Sequence, residues 1–332
     1  MMTQNGRAAL LLAMLLAPIA APVAAATTPA AAAATDAVTL PFNPPIGTPL
    51  RYDFEMRSEA DGKLRQRVRT RDELTYSRAE GGGYLLRWSS GALQVEAPGP
   101  MQKVLEKTYA AAMGTPMLIA VSSEGVPERV INAAELRVLT EKALLTLVQS
   151  FDSEFAGLPP EARTALNKML TAILDQQRQQ SPEVFAESLM EGPLLMLPAP
   201  GPLVPGQAQS AEVEQPSPLG NGNIRFLAQV ELRNYQPGVS AEIRASSAAN
   251  PEDAKRAMAA FVATLLAAIE NPAQRQEAEA SVAKLGPMAI SDEAVITLAL
   301  PAGLTETMRY QKQVTVPGQP VRLDTRNYTR AR

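Results

Sequence analysis

Leu50-Arg51-Tyr52-Asp53-Phe54-Glu55-Met56-Arg57 alternates apolar and charged side chains without a break. That period of two marks a strand with one face in a core and the other in water. Asp61-Gly62 follows, a pair that supplies the positive φ a tight hairpin needs. A second strand then runs from about Lys63 to Ser77, with Leu64, Val68, Leu74 and Tyr76 in one alternating set. Gly81-Gly82-Gly83 turns the chain again into Tyr84-Leu85-Leu86-Arg87-Trp88, and the three strands make an antiparallel meander.

Working outward, Met117 to Val121 and Val126 to Ile131 flank Ser123-Glu124-Gly125 as a further hairpin. Asn132, with Glu135 three residues on, opens a helix in the manner of a capping box. A second helix is expected after Pro159-Pro160 and a third from Ser181-Pro182-Glu183, serine as N-cap and proline in the first turn. Residues 192 to 220 are rich in proline and glycine and read as an extended crossing. Beyond them lie two strands, Ile224 to Tyr235 and Val239 to Ala245, and a helix from Pro251 to about Ile269 capped by Asn250. Three strands close the chain: Met288 to Leu300, Glu306 to Val316 and Val321 to Thr329. This order predicts an α+β fold: a curved, half-barrel-like antiparallel sheet with helices packed on one face. A single domain over 42–332 is expected, open to division into lobes 42–191 and 221–332 joined by the crossing 192–220.

At the amino end, Arg7 precedes an uncharged run from Ala8 to Ala21, and Ala24 and Ala26 provide an A-x-A cleavage site. Residues 1–26 therefore read as a secretion signal cut near Ala26, with 27–41 as an Ala/Pro leader. The apolar run is too short to span a bilayer, so no transmembrane segment is expected in the mature chain, and the expected location is the periplasm or the exterior.

The chain has no cysteine and no histidine. That removes disulfides, thiolate metal sites, Cys–His pairs and the Ser-His-Asp triad together. A net charge of −3 offers nothing to attract nucleic acid. No cofactor and no metal are expected. One nucleophile pattern that works without histidine remains: Ser281-Val282-Ala283-Lys284 matches the S-x-x-K of penicillin-binding enzymes, and would make Ser281 and Lys284 a hydrolase pair. No K-T-G follows it, and Ser291-Asp292-Glu293 only partly resembles the second motif of that group.

Arg65, Arg67, Arg69 and Arg71 share a parity on the second strand, so their guanidiniums leave one face of the sheet. They are a candidate patch for an anion or a partner carboxylate, since arginine binds carboxylate and phosphate in a fork. The alternative is a solvated face paired with Glu55, Glu59 or Glu73.

Gly47-Thr48-Pro49-Leu50-Arg51-Tyr52-Asp53-Phe54 and, later, Val121-Ser122-Ser123-Glu124-Gly125-Val126-Pro127 through Val130 and Leu136 resemble a broad group of secreted bacterial proteins without assigned active residues. The expected architecture also resembles the half-barrel of periplasmic lipoprotein carriers. With imidazole and thiol groups absent from an exported chain, the expectation is a non-enzymatic envelope protein that works by binding. Its partner would be another envelope protein or, in the carrier reading, a lipid or lipidated protein held under the curved sheet.

Overall fold

A computed structural model describes residues 36–157, 160–197, 201–217, 223–267, 288–316 and 320–331, with four isolated positions between 268 and 287. Their strands are β1 Leu50–Ala60, β2 Lys63–Arg78, β3 Tyr84–Glu96, β4 Met117–Val121, β5 Pro127–Val130, β6 Ala208–Pro216, β7 Asn223–Gln236, β8 Ser240–Ala249, β9 Ala289–Ala299, β10 Leu304–Thr315 and β11 Arg322–Arg330. All eleven belong to one open antiparallel sheet, in the order β5-β4-β3-β2-β1-β11-β10-β9-β8-β7-β6. β1 and β11, the first and last of these strands in sequence, are therefore neighbours at its centre, and both expected lobes contribute to the same sheet.

The alternation of β1 is obeyed by its neighbours. Tyr52, Leu74, Tyr76, Leu86 and Trp88 on one half, and Ile243, Ile296, Leu298, Met308 and Tyr310 on the other, fall on the inward parity and are buried. The outward parity carries ion pairs instead, such as Arg51–Glu73 and Arg244–Glu293. Helices cover the inward face: α1 Met101–Ala112, α2 Ala133–Glu154, α3 Pro160–Gln179, α4 Pro182–Leu189, α5 Glu191–Met196 and α6 Pro251–Ala267. The α+β class and the curved sheet with helices on one side are what the strand periods required.

Local chemistry explains most of the boundaries. Ser181 Oγ accepts from the Val184 N–H at 3.2 Å, and Asn250 Oδ1 accepts from Glu252 and Asp253, so both expected caps form. Replacing Asn250 by alanine is expected to lower stability by about 1 kcal/mol, read from the urea midpoint. The cap at Asn132 differs. Its Oδ1 accepts from the Leu118 N–H at 2.9 Å and its amide donates to Pro116 O and to Glu135, so the side chain ties β4 to the start of α2 and does not close the helix end.

Two further elements differ from expectation. The stretch 192–220 is not a plain crossing, because it contains most of α5 and the edge strand β6. An edge strand needs only one partner, so Pro216 is tolerated at the end of β6. Helix α1 has no side-chain cap and no sequence signal at its start; it is held by Val104, which packs with Leu147, Phe151 and Leu170. Residues 36–43 join the fold: Val38 exchanges two backbone hydrogen bonds with Leu203, and Leu40 and Phe42 are buried. Among the described residues no helix is long and apolar enough to cross a membrane. Residues 1–35 lie outside the described residues, and so do Ser281 and Lys284.

Candidate functional site

The inward face departs from its apolar rule in two places. Asp72 sits on the buried parity of β2, between Thr70 and Leu74, and is 2% exposed. Its Oδ2 accepts from Trp88 Nε1–H at 2.9 Å and its Oδ1 from the Thr70 hydroxyl at 2.8 Å. Both donors are neutral. Beside it stand three packed rings: Phe54 against Tyr328 at 4.5 Å, and Trp88 edge-on to Tyr328 at 5.9 Å. Burial, and after it the charge of Asp72, pushes the Tyr328 hydroxyl well above the ordinary tyrosine range.

Above this floor lies a cleft of about 410 Å³ between the sheet and the helices. Met56, Val68 and Leu93 extend the floor; Tyr109 and Met113 from the end of α1, Met117, and Leu189, Gly192 and Pro193 at the α4–α5 junction make the walls. The polar groups reaching it are few (Thr70, Asp72, Ser90 and Thr115), and its size falls in the range of small-molecule sites.

The second departure is a polar rung across five central strands. Register aligns Ser247, Asp292, Lys312, Asp324 and Ser58 side by side. Ser247 donates to Asp292 Oδ1 at 3.0 Å, and Asp324 holds Arg322 at 2.9 Å. On the next rung Arg326 lies over the Tyr310 ring and pairs with Glu191, the first residue of α5, at 2.6 Å. Lys312 is 2% exposed and Asp292 8%. Burial pushes Asp292 up to about 6 and Lys312 down to about 8, and the charge of each acts on the other in the opposite direction.

The sign for Asp292 follows from linkage. Its folded value lies above the unfolded value of about 3.9, so the native state binds more protons between those limits. Its stabilising contribution is complete below that lower limit and is lost as pH rises through about 6. Relative to Asp292→Asn, the wild-type urea midpoint should therefore fall between pH 4 and 7.

The arginine row is on the opposite, outward face. Arg69 bonds Glu55 at 2.7 Å, Arg67 bonds Glu96 at 2.8 Å and Arg71 bonds Asp53 at 3.1 Å, while Arg65 is exposed. The four do not meet in a cleft: the outward hollow of about 450 Å³ is lined by Glu55, Arg57 and Glu59 with residues of β10 and β11. Away from the sheet faces, Glu154 bonds Lys107 at 3.0 Å, and Asp253 is held down to about 2 by the Arg225 guanidinium bonded to it.

No protein-family model matches the chain, and no curated protein matches it. Among solved structures, one similar chain is that of "Lipid-protein interactions in lipovitellin", with 10% identity and a TM-score of 0.35. The match covers 87% of this chain and 25% of that one, so this chain spans about a quarter of its length.

Periodicity located the strands that floor the cleft, while the arginine row lies on the opposite face of β2. Asp72, Asp292 and Lys312 carried a readable signal, since each is an ionisable group on the apolar parity of its strand.

Proposed function

We propose that this protein works by binding, without catalysis, and carries an amphiphile whose hydrocarbon chain lies in the cleft between the inward sheet face and the α1 and α4–α5 walls. The observation that supports this most is the cleft itself, floored by Phe54, Met56, Val68 and Trp88 and walled by methionine and leucine. Methionine-rich walls adapt to flexible apolar ligands. A protein-docking scaffold calls for a filled interior, so the carrier reading takes precedence over it. In an exported chain this would be carriage in the cell envelope, as the signal-like residues 1–26 suggest.

Trp88 is the only tryptophan in the sequence and it lines the cleft, so its fluorescence reports occupancy directly. Native mass spectrometry of gently purified protein should show a lipid-sized adduct, and decyl or dodecyl amphiphiles should change Trp88 emission on titration. Gly192 lies against Trp88, with room for a Cβ 3.8 Å from the ring. Gly192→Leu should fill the cleft, lowering affinity at least tenfold without lowering the melting temperature. A protein that shows no adduct and no Trp88 response to any chain-bearing ligand is not a carrier.

A further inference from the structure

The charge at the cleft narrows the ligand class, on the assumption that the carrier reading holds. Asp72 is the single ionisable acid or base among the cleft's charged side chains, and it is buried. Its two hydrogen bonds come from an indole N–H and a hydroxyl, and among the described residues it has no ion pair. Arg326, next to Met56 across β11, is already neutralised by Glu191. A buried carboxylate without a counter-cation is costly, and the cost falls when a cation arrives. Four aromatic residues line the same cleft, Phe54, Trp88, Tyr109 and Tyr328. Ring faces attract cations, and ammonium groups in particular are held by clusters of this kind.

We infer that the cleft takes a lipid-like amphiphile with a cationic ammonium head, which sits against Asp72 and the aromatic rings while the chain runs toward Met56, Val68, Leu93 and Met113. An anionic head, such as a free fatty-acid carboxylate or a sulfate, is repelled by the same carboxylate.

The test titrates the purified protein with dodecyltrimethylammonium, dodecyl maltoside and dodecyl sulfate below their micelle concentrations, followed by Trp88 fluorescence and calorimetry. The trimethylammonium compound should bind at least tenfold more tightly than the sulfate, with the maltoside between them. Asp72→Asn keeps an acceptor for the Trp88 indole, and it should remove the advantage of the cation over the maltoside. A second measurement needs no variant: the wild-type preference should persist between 50 and 500 mM NaCl in order of magnitude, about the range over which attraction to exposed charge is screened. Sulfate binding as tight as ammonium binding, a preference that survives Asp72→Asn, or one that vanishes in salt overturns the head-group assignment. Binding of all three without discrimination leaves the carrier reading standing, whereas binding of none removes both.

Discussion

Lys312→Met is expected to lower stability at pH 7, between the values of the two groups, by about 3 kcal/mol, the lower end of what removing one partner of a buried charge pair costs. At about 2.1 cal/mol/K of unfolding entropy per residue, a 332-residue chain shows that as a fall of roughly 4–5 °C in Tm. Lys312 stands between Asp292 and Asp324 on the central rung, and Asp292 has no hydrogen bond to its Oδ2 among the described residues. Without Lys312, that carboxylate stays buried with only the Ser247 hydroxyl to support it. The penalty should shrink toward pH 5, because Asp292, already pushed up to about 6, then carries a proton. Adding Asp292→Asn should recover most of the loss at pH 7, since a neutral pair of similar volume needs no desolvated charge. A double variant as unstable as the single one would show that the two groups do not act on each other. Calorimetric melts of the four proteins across pH supply the comparison.

Gly303→Ala should be the other large effect, at about 3 kcal/mol or more. Gly303 has φ +67° in the β9–β10 turn, and a Cβ there would run into the Pro41 carbonyl. The left-handed conformation alone costs an L-residue about 1–2 kcal/mol. Pushing the neighbouring backbone aside adds a further 1–3 kcal/mol, roughly. What would be pushed is the segment that Asn43 N–H ties to Ala302 O at 2.9 Å and that seats Phe42 between Tyr76 and Tyr84. Gly125 presses on Phe42 from the β4–β5 hairpin in the same way, so two distant turns hold one strap. Gly238 gives the control: φ is +71° but nothing lies within 4 Å, so Gly238→Ala should cost only the conformational part. Equal urea midpoints for the two variants would refute the clamp.

Much of this was legible in the sequence and some was not, for identifiable reasons. The strands of β1, β2 and β7 to β11 declare themselves because one face of each must be apolar, and the β1–β2 and β7–β8 turns carry Asp61-Gly62 and Pro237-Gly238. Strand β6 was hidden among prolines, because an edge strand is held by one neighbour and needs no strong pattern of its own. Helix α1 was hidden because its stability comes from Val104 meeting Leu147 and Phe151, residues over forty positions away. The site was half visible: Asp72 breaks the apolar parity of β2, yet four arginines on the other parity are the louder signal. What no period reveals is strand order, and strand order is what brings Tyr328 beside Phe54 and Lys312 beside Asp324.

Strand β11 fills the gap between β1 and β10, pairing with both along most of its length. On the ribosome it emerges after every other strand of this sheet. Until β11 arrives, the chain can hold only two separate half-sheets, each exposing a long bare edge at what will become the middle. The sheet is thus completed from the centre, by a keystone, and loss of Arg322–Arg330 would leave two unjoined halves prone to sticking to each other's copies.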